Sequence, residues 1–437
     1  MNPISNYFYP LFSKMIVAII TVFVLGYTAI AFEHPLKVNK AASALITGVL
    51  CWTLYILGSA SPESVTEELL HHLGELSSIL FFLLGAMVIV ELIDSHHGFK
   101  IITRRIKTRK KSALLIIIAV ITFFLSALLD NLTTAIVMSS LTIKLLREKS
   151  DRLWFCGMIV IAANAGGAWS PLGDVTTTML WIGGQITPLN IIKELLLPSM
   201  AVCVIPVLIV ELRFRGQLFA FRQEEESSAI EKREGKIILF AGIGFLIFVP
   251  VFKTVTHLPP FMGMMLALGL MWIITTVLHI DKASDQVQKY TVTNALQKID
   301  TPSILFFLGI LLAVTALQSV GVLTDLAAFL SRNLKDEFAI GTTLGLLSAL
   351  VDNVPLVAAS QGMYDLSVYP TDHHFWEFLA LTTGTGGSAI IIGSAAGVAV
   401  MGIEKIDFIW YLKKISWLAL IGFASGIFVY FIQLKLA

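Results

Sequence analysis

Two acid–amide pairs, Asp130-Asn131 in SALLDNLTTAIV and Asp352-Asn353 in SALVDNVPLVAA, stand inside runs of leucine, valine and alanine. A third acid, Asp174, lies in NAGGAWSPLGDVTTTML together with Asn164, Thr176 and Thr177. Carboxylates supply charge, while amide, hydroxyl and freed main-chain carbonyl oxygens replace a hydration shell, so this donor set suits a small hard cation. Burial disfavours a charged carboxylate, so the same group can hold a proton when the cation is absent. Cation and proton then compete for one site, which is the physical basis of coupled exchange. Asp130, Asp174 and Asp352 are the residues expected to carry that charge.

A DN pair could also be no more than a helix cap. Asp and Asn are good N-caps, and Thr133, Thr134 and Pro355 suit a first helical turn. A neutral Asn or Ser would cap about as well without the intramembrane charge penalty of about 2.5 kcal/mol or more. Acids at both tips therefore favour a functional reading. In the third string, Gly166, Gly167, Pro171 and Gly173 interrupt what would otherwise be helix. The matching stretch Gly384–Val400 keeps its glycines but sets Ser394 opposite Asp174. Glycine-mediated helix packing accounts for Gly393 and Gly397, but not for Asp174.

The elements that must position these residues are membrane helices. The 437 residues are 56% hydrophobic and 14% charged, with a mean hydropathy of +0.82, against about 25% charged in soluble domains. Apolar segments close to the ~20 residues of a bilayer span recur along the whole chain. The expected class is an all-α polytopic membrane protein. A net charge of +1 with no basic patch gives no ground for a nucleic-acid partner, and Cys51, Cys156 and Cys203 lack metal-ligand spacing and read as core residues.

Repeated strings divide the chain. SILFFL at Ser78–Leu83 recurs at Ser303–Leu308, SAL-x-DN at Ser126 recurs at Ser348, and Gly166-Gly167 recurs as Gly386-Gly387. Trp52 and Trp272 occupy similar apolar runs. Their order and near-constant spacing imply two repeats, residues 1–212 and 237–437, joined by a charged cytoplasmic linker at 213–236. In the first, spans are expected at 15–32, 41–58 and 76–95, a bent helical pair at 112–146, an interrupted span at 153–184 and a closing span at 189–211. In the second they fall at 237–252, 261–280, 302–319, 338–362, 376–403 and 412–434. The pairs are too short, or too basic at their outer ends, to place a tip in water on the far side at 1.5 Å per residue. They read as re-entrant hairpins, tolerated where the tip is buried in protein or lines a cavity.

Cytoplasmic loops collect Lys and Arg, which puts KIITRRIKTRKK (Lys100–Lys111) and the linker inside and the acid-bearing Ser59–Glu75 and Met363–His374 outside. Five spans per half then invert one repeat relative to the other, with both termini outside; inverted repeats with broken helices are a recurrent transporter build. Lys14, an apolar run and Ala29-Ile30-Ala31 imitate a signal peptide, but the run has a counterpart at 237–252 and is expected to be retained. Glu75, Glu91 and Asp94 read as membrane-edge acids, and the adjacent histidines 71/72, 96/97 and 373/374 as exposed loop residues.

SALLDNLTTAIVM, AANAGGAWSPLGDVTTTM and SALVDNVPLVAA, in this order, resemble the NhaD-type sodium/proton antiporters of the ion transporter superfamily. The resemblance implies exchange of Na+ or Li+ for H+ in an inner (plasma) membrane of bacterial type, with no cofactor beyond the transported ions. It implies a scaffold domain, a transport domain carrying both hairpins, an elevator-like motion and a homodimer. On motif positions it points to Asp130, Asn131, Asn164, Asp174, Thr176, Thr177, Ser348, Asp352 and Asn353 as ion-handling residues, with Ser388 a lesser candidate. Within the superfamily the rivals are a sodium-coupled dicarboxylate carrier, which acids at both tips would repel, and an arsenite-type permease. An intramembrane aspartyl protease is disfavoured by the repeat and by the lack of a GxGD string at Asp174. Titratable buried carboxylates favour coupled exchange over a passive channel.

Overall fold

The computed structural model describes residues 5–31, 33–99, 108–219, 229–280, 290–334, 336–350, 352–391 and 393–436. The basic string at 100–107 and the middle of the linker, 220–228, lie outside the described residues. The described chain is helical, with one isolated bridge between Lys110 and Leu218. In chain order the helices are α1 (Ser5–Ala31), α2 (Glu33–Leu36), α3 (Lys40–Gly58), α4 (Pro62–Ser95), α5 (Lys111–Leu129), α6 (Asn131–Leu145), α7 (Lys149–Ala168), α8 (Val175–Ile182), α9 (Pro188–Phe214) and α10 (Ala229–Thr256). They continue as α11 (Pro260–Leu278), α12 (Val292–Lys298), α13 (Thr301–Ser319), α14 (Val322–Leu334), α15 (Glu337–Leu347), α16 (Asn353–Met363), α17 (His374–Gly386), α18 (Ala395–Glu404), α19 (Phe408–Lys414) and α20 (Ser416–Leu436). Among the described residues, 8 helices are long and apolar enough to cross a membrane, so the chain is a multi-pass integral membrane protein.

Local chemistry sets the ends. Asn39 caps α3 through Ala41 N at 2.8 Å, and proline occupies the first turn of α9, α11 and α13, where no N–H is needed. Gly184, at φ +82°, ends the turn after α8 in a conformation that side chains rarely adopt. One boundary departs from expectation. The acid-rich stretch before residue 76 is not a loop but the start of α4, which runs 34 residues from Pro62. Glu and Leu are strong helix formers, so the helix extends past its apolar part to a length of about 50 Å at 1.5 Å per residue.

The chain forms two compact units, and each takes residues from both sequence halves. The first comprises 1–81, 300–340 and 354–370. There α3 packs on α1 and α13, and the α3–α13 crossing is close because both sides are glycine. A Cβ on Gly48 would lie 2.6 Å from Gly309 O. Trp52 Nε1 donates to Leu312 O at 2.9 Å, and Met15, Ile19, Cys51 and Val314 fill the core around it.

The second unit comprises 82–299, 341–353 and 371–437. Within it α7 packs against α5, α6 and α9; α9 against α20; α10 against α11; and α18 against α6 and α7. Two acids here have basic partners: buried Glu404 meets Arg152 Nε at 2.8 Å, and half-buried Glu91 meets Lys298 Nζ at 3.2 Å. All three cysteines of the chain are free and buried. The expectation of exposed histidines fails for His72 and His96, which are buried. Both stand on or beside α4, where neighbours about 100° apart turn one ring inward and the other out. His71 stays 73% exposed, while His72 packs beside Trp52.

Candidate functional site

The site is built from chain breaks in the second unit. Helices α5 and α6 meet at Asp130 alone, whose backbone (φ 102°, ψ 157°) lies in a region that essentially only glycine occupies. Such a conformation costs about 1–3 kcal/mol, and the cap it creates returns about the same. The Asp130 carboxylate accepts from Thr133 N at 2.7 Å and Thr133 Oγ1 at 2.8 Å. Capping alone therefore does not explain a strained acid where a glycine would fit without strain. The second pair, α15 and α16, is separated by residues 348–352, of which 351 is outside the described residues.

The other breaks fall between α7 and α8 and between α17 and α18. Asp174 caps α8 by accepting from Thr176 N at 3.0 Å, and Ser394 caps α18 by accepting from Gly397 N at 3.2 Å. Glycine is required where these breaks meet the neighbouring helices. A Cβ on Gly166 would run into Phe123 O, and one on Gly386 into Gly345 O.

These breaks converge on Asp174, which is 2% exposed. Its Oδ2 accepts from Asn131 Nδ2 at 2.7 Å and from Asn353 Nδ2 at 3.1 Å, so one amide from each DN pair reaches the same oxygen. Asn131 Nδ2 also donates to Asn164 Oδ1 at 3.2 Å. Asn164, fully buried, donates through Nδ2 to Ser388 Oγ and Ser394 Oγ, each at 2.9 Å. The buried Thr176 hydroxyl lies beside the Asp174 carboxylate without completing a hydrogen bond. Asp352 is near enough to Asp174 for their charges to interact. A narrow cavity with room for about 20 Å³ of water-sized sphere is lined by Asp130 and Asp174 together with Leu172, Val175, Thr178 and Phe82.

Not every expected residue points its side chain into this cluster. Ser348 Oγ bonds to Gly345 O at 2.8 Å and Thr383 O at 3.0 Å, and Thr177 Oγ1 to Asp174 O at 2.9 Å. Both hydroxyls tie main chain. The three aspartates do not share one point: among the described residues, no three His, Cys, Asp or Glu converge as a metal cluster. Ser394 is the residue that the motifs passed over. Its signal was its place opposite Asp174 in the matching glycine-rich stretch.

A family model described as a citrate transporter matches residues 27–386. The sodium/proton antiporter 1 of Arabidopsis thaliana is 47% identical over 95% of this chain and 72% of its own length. The Na(+)/H(+) antiporter NhaD of Vibrio cholerae is 30% identical over 91% of this chain and 87% of its own. This chain belongs to the NhaD-type sodium/proton antiporter family. That family consists of transporters, not enzymes. A second NhaD, from Alkalimonas amylolytica, is 28% identical over 94% of this chain and 89% of its own. The YdaH transporter of Alcanivorax borkumensis shares the fold, with a TM-score of 0.54 at 13% identity over 97% of this chain and 98% of that one.

Proposed function

We propose that this NhaD-type chain exchanges Na+ or Li+ for H+ across a plasma membrane of bacterial type, with cation and proton competing for Asp174. One observation carries the reading. Buried Glu404 has an arginine beside it, whereas among the described residues the carboxylate of Asp174 is bonded by neutral donors from Asn131, Asn353 and Thr176. A buried carboxylate without a fixed counter-charge must take up a mobile one, and a proton and an alkali cation are the two that fit.

In this reading Asp174 supplies the binding charge, Asn164 Oδ1 and the Thr176 hydroxyl supply neutral oxygens, and the Asn131 and Asn353 amides hold the carboxylate until the ion displaces them. Asp130 and Asp352 stand as flanking carboxylates at the two tips, and Thr177 and Ser348 hold the main chain around them. The DN junctions are re-entrant tips belonging to two inverted repeats. Support comes from the matched close approaches at Gly166 and Gly386 and from the way both tips send an amide to one oxygen. Lithium transport, the scaffold-and-transport division, the elevator-like motion and the homodimer rest on the family resemblance.

The description of the matching family model favours a second reading, citrate transport. A tricarboxylate calls for cationic or free N–H donors, whereas here the amide N–H groups are spent on the Asp174 carboxylate and the two serines, and the acids would repel it. Vesicles holding a pH gradient separate the two. Added Na+ is expected to dissipate the gradient, and Asp130→Asn, Asp174→Asn and Asp352→Asn each to abolish that response. Citrate uptake with no sodium-dependent proton movement would overturn the exchange reading.

A further inference from the structure

We propose that Ser388 and Ser394 are positioning residues that fix the Asn164 amide with its oxygen turned toward Asp174. The inference rests on the exchange reading of the same site and concerns how that site selects its cation. An asparagine amide has two N–H hydrogens and one carbonyl oxygen. Asn164 Nδ2 lies 2.9 Å from each serine oxygen, so both hydrogens are used by residues of the second sequence half. Only Oδ1 is left, and it accepts from Asn131 Nδ2, the same nitrogen that donates to Asp174 Oδ2.

The direction of this chain of bonds is set at the carboxylate and its serine end is held in position. At one end the Asp174 carboxylate demands donors. At the other, the Gly397 N–H donates to Ser394 Oγ as the cap of α18 and holds that hydroxyl in place. Tyr411 Oη donates to Ser388 O at 2.9 Å and fixes the main chain of the other serine. Turning the Asn164 amide over would set its NH2 against that of Asn131. The second half holds no matching amide, because Gly384 stands at the place of Asn164 in the repeat.

A cation that displaces the Asn131 nitrogen therefore meets two oxygens already aimed at it, Asp174 Oδ2 and Asn164 Oδ1. The first carries charge and also takes the proton; the second is neutral and serves the cation alone. Loosening the serines should weaken cation binding while leaving proton uptake and maximal turnover nearly intact.

Reconstituted vesicles provide the test, with apparent KM for Na+ and maximal rate read from dissipation of a pH gradient. Ser388→Ala, which disturbs no helix cap, and Ser394→Ala are each expected to raise KM several-fold. Together they should raise it about tenfold, as for one misdirected oxygen contact to the ion, with the maximal rate little changed. Asn164→Ala should raise KM to a similar degree, and in that background neither serine change should add anything. Serine effects that persist in the Asn164→Ala background, or an unchanged KM in Ser388→Ala, would overturn the proposal. Should Ser394→Ala fail to fold, Ser388→Ala and Asn164→Ala complete the cycle by themselves. A failure of the parent protein to move protons in response to Na+ would instead sink the exchange reading.

Discussion

The break around Asp174 and the break around Ser394 share a backbone and differ in charge. Asp174 sits at φ −147°, ψ 149° and Ser394 at φ −144°, ψ 152°. Each caps the helix that follows, and each follows a double glycine whose second member lies against a later glycine carbonyl: Gly167 on Gly173 O, Gly387 on Gly393 O. Yet Asp174 gathers the amides of Asn131 and Asn353, while Ser394 receives that of Asn164. Glycines and caps thus build the same main chain twice, and one side chain decides whether the result holds a charge or orients a neutral group.

The largest effect should come from removing that charge. Asp174→Asn keeps the shape and the capping ability, so folded protein is expected with no sodium-driven proton flux above that of empty vesicles. Ser394→Ala, at the same backbone geometry, should retain flux at a raised KM. Residual exchange in Asp174→Asn would break the comparison at its base.

Moving the charge tests whether the backbone alone suffices. The double variant Asp174→Ser, Ser394→Asp restores the number of acids but is expected to stay inactive, because both DN amides converge on position 174. Recovered exchange would mean that either break can serve as the ion site.

Much of this was legible in the chain. Apolar runs near the length of a bilayer span mark most of the membrane helices directly, and DN inside leucine and valine marked both junctions, because a misplaced acid is a strong signal in so apolar a sequence. The asymmetry of Asp174 and Ser394 was visible as well. What periodicity does not reveal is the direction a side chain faces once helices pack. Ser348 sits in a repeated string, but its hydroxyl turns to carbonyls of α15 and α17. Ser394 belongs to no repeated string but turns into the cluster. The burial of His72 likewise depends on rotation about α4, and the early start of α4 on helix propensity outside the apolar run.

A smaller effect should be equal in the two halves. Gly166→Ala and Gly386→Ala each drive a Cβ into a main-chain carbonyl, of Phe123 and Gly345 respectively. Overpacking of this kind costs about 1–3 kcal/mol, so thermal unfolding in detergent should fall by a similar margin in both. A tolerant Gly386 beside an intolerant Gly166 would confine the close approach to the charged half.

The smallest effect concerns the serines that open the two SAL-x-DN strings. Ser126 Oγ donates to Ala163 O at 2.6 Å, and Ser348 Oγ to Thr383 O at 3.0 Å, so each ties the chain just before a DN pair to the helix that precedes a break. Both are fully buried, and neither hydroxyl bonds to a carboxylate. Losing one such bond costs about 1 kcal/mol, and Ser126→Ala and Ser348→Ala should therefore lower the unfolding midpoint by similar small amounts. The family resemblance gives Ser348 an ion-handling role that Ser126 lacks, and the apparent KM for Na+ separates the two. Matching stability losses with KM unmoved in both would make Ser348 a tie like its counterpart. A rise in KM at Ser348→Ala alone would put its hydroxyl on the cation's path and extend the asymmetry of the breaks to the DN junctions.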